Sequence, residues 1–118
     1  MATVSSKYDL EERTAKFGES VIEFCKLVPK NSITHPLIVQ LVKAGTSVGA
    51  NYCEADDAES KLDFRHKIGI CKKESRESKH FLRMIVIAEP VLKDLAMPIW
   101  QEAKELNLIF NSIYIKVS

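Results

Sequence analysis

The sequence predicts an all-α fold, an antiparallel up-down four-helix bundle. Three observations carry this. Apolar residues recur at helical spacing in four segments, and no stretch shows the alternation of a strand. Gly and Pro number only 4 each in 118 residues, too few for an all-β chain with many tight turns. The connection between the second and third segments, "AES", is very short, so those two helices should be antiparallel neighbours.

The first helix is expected over 9–29. Leu10, Thr14, Phe17, Val21, Phe24 and Val28 form a heptad-like seam between an Asp9 cap and Pro29. The second is expected over 36–57, opening at Pro36. The third is expected over 60–88, entered by "SKLD", which resembles a capping box with Asp in the last position, and stopped by Pro90. The fourth is expected over 98–117. Pro98 is read there as a first-turn proline, and Ile99, Ala103, Leu106, Phe110, Ile113 and Val117 repeat the seam spacing. The whole chain, 1–118, reads as one domain.

Composition narrows the functional classes. The net charge is +1, so the chain as a whole carries no nucleic-acid signature and any such signal must be local. No run approaches the length of a membrane span, and the N-terminus has no signal-peptide pattern. Cys25, Cys53 and Cys71 have neither CxxC nor metal-ligand spacing, which points to reduced, buried thiols and a cytoplasmic protein.

On the second helix, Leu37, Leu41, Ala44, Val48, Tyr52 and Ala55 form a core stripe. Ile38, Val42, Gly45, Gly49 and Cys53 form another about 100° round. Gly45 and Gly49 stand one turn apart within "GTSVGAN". A phosphate loop would need a preceding strand and a GK[ST] ending, and neither is present. The small residues Gly45, Gly49 and Cys53 therefore read as a surface for close helix packing or assembly, against a helix of the same chain or of another subunit.

On the third helix, Phe64, Ile68, Cys71, Ser75, Leu82 and Val86 are the expected core. Lys61, Arg65, Lys72, Arg76, Lys79 and Arg83 fall within about 60° of one another on the wheel. Glu59, Asp63, Glu74 and Glu77 fall roughly opposite. Lys61/Arg65, Lys72/Arg76 and Lys79/Arg83 are like-charged neighbours at i,i+4, each mildly destabilising. Such a row wants an anionic partner. One reading is carboxylates of a neighbouring helix or subunit, such as Glu54, Asp56 and Asp57. The other is an RNA or DNA backbone along a stripe about 33 Å long. Phe64 and Phe81 both read as packed, so aromatic interleaving for base stacking is weak.

Ile70, Phe81, Met84, Trp100, Leu108, Ile109 and Ile115 lie off the main seams. A small monomer would expose them, so a homo-oligomer is expected. "DFRH" and "ESKH" each place a carboxylate three residues before a histidine, at His66 and His80. Their separation along one helix is about 21 Å, so they cannot share a metal within a subunit. His35 has no evident partner, and no nucleophile arrangement is visible. Neither metal, cofactor nor catalytic residue is expected.

The stretches "GTSVGANYCEA" (45–55), "SKLDF" (60–64), "HKIGI" (66–70), "KES..S..FL" (73–82) and "QEAKEL" (101–106) resemble the bacterial four-helix bundle family of the 23S ribosomal RNA intervening-sequence protein. The resemblance covers nearly the whole chain. It implies an up-down bundle assembling into a ring, typically a pentamer, without known enzymatic activity. Its related branch contains the basic accessory proteins of diversity-generating retroelements, which work with a reverse transcriptase and nucleic acid. This sequence departs from the more basic members in being nearly neutral, with an acidic face on the same helix.

Overall fold

A computed structural model describes residues 9–117. It contains four helices and, among the described residues, no strand: α1 (Leu10–Leu27), α2 (Thr34–Asp56), α3 (Lys61–Ala88) and α4 (Lys93–Lys116). Each packs chiefly on its neighbours in sequence, with α2 against α3 the most extensive contact and α1 against α4 the slightest. The molecule is accordingly flattened, with Cα extents of 44 × 30 × 19 Å.

The α1 seam is the core as its spacing requires. Leu10, Thr14, Phe17, Val21, Phe24 and Val28 are all buried, and Thr14 donates its hydroxyl to the Leu10 carbonyl at 2.6 Å. Opposite them lie Leu41, Ala44, Val48, Ile68, Cys71, Leu82, Ile85, Ala103, Leu106 and Phe110. Ser75 and Ser78, also buried, donate to the carbonyls of Cys71 and Glu74 one turn earlier, so neither is left unsatisfied. The expected core positions Leu37, Tyr52, Phe64 and Val86 are only half-buried and close its margins.

Two helix starts differ from expectation, each for a physical reason. α2 begins earlier than Pro36, because Asn31 caps it. The Asn31 Oδ1 accepts from the Ile33 and Thr34 amides at 2.9 Å, and the Thr34 Oγ1 accepts from the Asn31 amide at 3.0 Å. This is a reciprocal capping box with Thr in the closing position. α4 begins at Lys93 rather than at Pro98. Pro90–Leu92 forms a 3₁₀ turn that feeds directly into it. Pro98 thus sits in the second turn of the helix, where its missing N–H forgoes the bond to the Asp94 carbonyl. At the start of α3, Ser60 accepts from the Asp63 amide at 3.0 Å, the first half of the expected box.

α1 and α2 cross closely at their glycines. A Cβ placed on Gly45 would stand 2.8 and 2.9 Å from the Val21 methyls, and one on Gly49 3.3 Å from the Thr14 hydroxyl. Gly18 faces the same crossing, its Cβ position 3.5 Å from the Gly45 carbonyl. Across the slight α1–α4 contact, Arg13 makes a fork to Glu102 at 2.7 and 2.9 Å and a further bond to Glu105 at 3.0 Å. The pairing raises the Arg13 pKa above its ordinary value, with the Glu102 hydrogen bond the largest cause.

Candidate nucleic-acid interface

Of the six cations in the α3 row, Arg65, Lys72, Lys79 and Arg83 lie beside α4 residues, which supply what stands next to them. Gly69 is the first element of this arrangement. Its missing side chain lets the Tyr114 ring lie against α3, since a Cβ there would meet Tyr114 Cε1 at 3.0 Å. The ring in turn carries Arg65. The guanidinium carbon is 3.8 Å from the ring centroid, and Arg65 Nε donates to the Tyr114 carbonyl at 3.2 Å. Lys72 Nζ stands 5.2 Å from the same ring. Between these cations and the next, Asn107 Nδ2 donates to the Lys72 carbonyl at 2.8 Å, tying α4 to the α3 backbone.

Trp100 repeats the device nearer the other end. Lys79 Nζ is 5.3 Å from its ring centroid and Lys104 Nζ 5.8 Å. Such contacts stabilise a cation while leaving its charge unneutralised. Lys61, Arg76 and Arg83 are exposed. Among the described residues, none of the six cations has a carboxylate within 4.0 Å. The ion pairs instead involve Arg13, Lys16, Lys26, Lys67 and Lys73.

The acidic end of α2 is engaged elsewhere. Glu54 pairs with Lys67 at 2.7 Å, and this hydrogen bond raises the Lys67 pKa. Within the chain, then, Glu54 serves a lysine outside the row; Asp57, Glu59 and Asp63 gather around the same pair at the α2–α3 turn. Glu74 is half-buried, and burial, followed by the charge of Glu77, raises its pKa.

Gly45, Gly49 and Cys53 are not part of this surface. Both glycines face α1 of the same chain. Cys53 is exposed, which corrects the expectation of three buried thiols. It rims a shallow groove between α1 and α2 with Ala15 and Ile22. Cys25 and Cys71 are buried, and burial pushes their thiols up to about 11 and about 12. Both are therefore neutral and unreactive at physiological pH. His35, His66 and His80 are exposed, and among the described residues no three His, Cys, Asp or Glu side chains converge as a metal site.

Sequence reasoning missed the aromatic groups beside the cation row. It sought stacking groups on α3 and counted Trp100 only as an apolar residue off the seam. The available signal was the pairing of Trp100 with Lys104 one turn on. The contacts of Tyr114 with Arg65 and Lys72 cross between helices, and a single-helix wheel cannot display them.

The comparisons with known proteins agree with this architecture. The model of the 23S rRNA-intervening sequence protein family matches residues 6–112. A solved structure from Bacteroides thetaiotaomicron VPI-5482, described as a protein of unknown function from the S23 ribosomal protein family, superposes with a TM-score of 0.77. The two are 25% identical, and the match covers 89% of this chain and 97% of that one. No curated protein matches significantly. Among the described residues no helix is long and apolar enough to cross a membrane.

Proposed function

The chain belongs to the 23S rRNA-intervening sequence protein family, and we propose that it is a non-enzymatic, oligomeric bundle that holds RNA or DNA backbone through the basic row of α3. One observation carries this reading. Lys61, Arg65, Lys72, Arg76, Lys79 and Arg83 share one face of α3, where aromatic rings stand beside Arg65, Lys72 and Lys79, and no carboxylate of the described residues comes within 4.0 Å of any of the six. Held but unneutralised cations in line are suited to phosphates, and their repulsion is relieved when phosphates bind. No cofactor is needed.

Assembly into a homo-oligomer, as a ring such as a pentamer, is part of the same proposal. Its support is the set of exposed apolar residues where α1 and α3 end and α2 and α4 begin. Leu27, Ile33 and Leu95 are exposed there, with Val91 at 84%. The same residues favour a second reading, a protein–protein scaffold in which the basic row meets carboxylates across a subunit boundary.

One set of variants separates the two readings. Charge reversal at Arg65, Lys72, Arg76 and Lys79 should abolish binding of oligonucleotides at low salt and leave the oligomer, followed by light scattering, intact. Wild-type binding should weaken steeply as salt rises. Absence of any wild-type binding at low salt refutes the nucleic-acid reading. Dissociation of the oligomer by the reversals establishes the scaffold.

A further inference from the structure

Where α3 ends and α4 begins, their seam opens into a groove of about 290 Å³. Leu82 and Val86 of α3 and Met97 and Trp100 of α4 give it apolar walls, and Arg83 and Lys93 stand at its rim. Lys79 and Lys104 flank the Trp100 ring. Two cations therefore line the apolar slot, two more stand over the ring of its Trp100 wall, and no acidic residue lines it. The slot is continuous with the row, since Arg83 belongs to both and Lys79 stands over the Trp100 ring.

The geometry points to this groove as a binding slot for an unpaired nucleobase, so that the protein prefers single-stranded RNA or DNA to duplex. The inference rests on the backbone-binding reading above and adds a selectivity to it. A phosphate needs only the cations. The apolar walls serve a flat, weakly hydrated group delivered alongside phosphates, and a base extruded from a single strand is such a group. In a duplex the bases are stacked and paired, and their faces are unavailable to a side chain. Positive grooves that follow a strand, with aromatic faces on which bases stack, are the general solution to single-strand binding. Here Trp100 supplies the face, and the rim cations lie where the flanking phosphates pass.

Trp100 is the sole tryptophan of the chain, so its fluorescence reports on this groove alone. The full-length protein is titrated with oligonucleotides of about 16 nucleotides, as single-stranded RNA, single-stranded DNA and the corresponding duplexes, with fluorescence anisotropy reporting affinity. Single strands should bind at least about tenfold more tightly than duplex and quench the tryptophan. Trp100→Ala should lower single-strand affinity about 5- to 150-fold and leave duplex binding unchanged. Trp100→Tyr should retain most of the preference. Met97→Glu, at an exposed wall, should remove it without disturbing the core.

Equal binding of single strand and duplex with unchanged emission overturns the slot and leaves the backbone reading standing. So does an equal loss of both affinities in Trp100→Ala. Quenching by a fatty acid but by no oligonucleotide assigns the groove to an anionic amphiphile and overturns the proposal. Failure of every oligonucleotide to bind at low salt overturns the slot and the backbone reading together.

Discussion

The Val21 Cγ2 methyl lies 2.8 Å from the point where a Cβ on Gly45 would stand. Val21 is fully buried and, being β-branched, has little freedom to turn aside. Replacing Gly45 by alanine would gain about 1 kcal/mol of helix propensity and force the α1–α2 crossing apart. Overpacking dominates, and Gly45→Ala should lower stability by about 1–3 kcal/mol in denaturant titration. Adding Val21→Ala should recover part of that loss, a non-additive result expected of residues in contact. Gly18→Ala is the control. Its Cβ would meet nothing closer than 3.5 Å, and it should be neutral or stabilising.

The Arg13 fork is the strongest polar tie between α1 and α4. Arg13 and Glu102 side chains are 21% and 30% exposed, so solvent screens this pair less than a fully surface pair. Arg13→Ala should cost about 1.5–3 kcal/mol, the range for hydrogen bonds to charged groups. Lys16 and Glu12, both about 70% exposed and 3.8 Å apart, should show a coupling of only about 0.3–0.5 kcal/mol in a double-mutant cycle.

Asn31 satisfies two amides at the start of α2. Asn31→Ala should lower stability by about 0.5–2 kcal/mol, and Asn31→Asp should retain most of the cap. Exchange of the Ile33 and Thr34 amide hydrogens should accelerate in the alanine variant.

The thiols provide a measurement of packing. A thiol reagent at neutral pH should label Cys53 alone in the folded protein and all three cysteines after denaturation. Burial raises Cys25 and Cys71 from the ordinary 9.0 to about 11 and about 12. Above pH 9.0 the unfolded chain releases protons that the folded one retains, so the contribution of these groups to stability falls as pH rises. Below pH 9.0 they have no such effect. The loss should extend to about pH 12, and Cys71→Ala should flatten the alkaline arm of the stability profile.

The sequence made α1 legible because one unbroken seam fixes one buried face. It misplaced the start of α4 because Pro98, taken alone, fits a first turn equally well. Only the 3₁₀ turn at Pro90–Leu92 brings the helix start forward to Lys93. Asn31 was passed over because its closing residue is Thr34, not the Glu or Gln of the usual pattern. At the candidate interface, the cations were readable from their spacing on α3. Tyr114 and Trp100 were not, because their relation to Arg65, Lys72 and Lys79 is set by how α4 lies on α3. Gly69 drew no notice beside the Gly45/Gly49 pair, although its missing side chain makes room for Tyr114.

The most extensive contact in the chain joins α2 and α3, which only residues 57–60 separate. Closing so short a loop costs little entropy. The helical hairpin can therefore assemble before the rest of the molecule, with the Glu54–Lys67 pair clasping it just beyond the turn. α1 docks chiefly on α2 and α4 chiefly on α3, and the two have little contact with each other. Kinetically, substitutions such as Val48→Ala and Ile68→Ala should slow folding, and substitutions in α1 should chiefly hasten unfolding. On this expectation the chain acquires its shape outward from its middle.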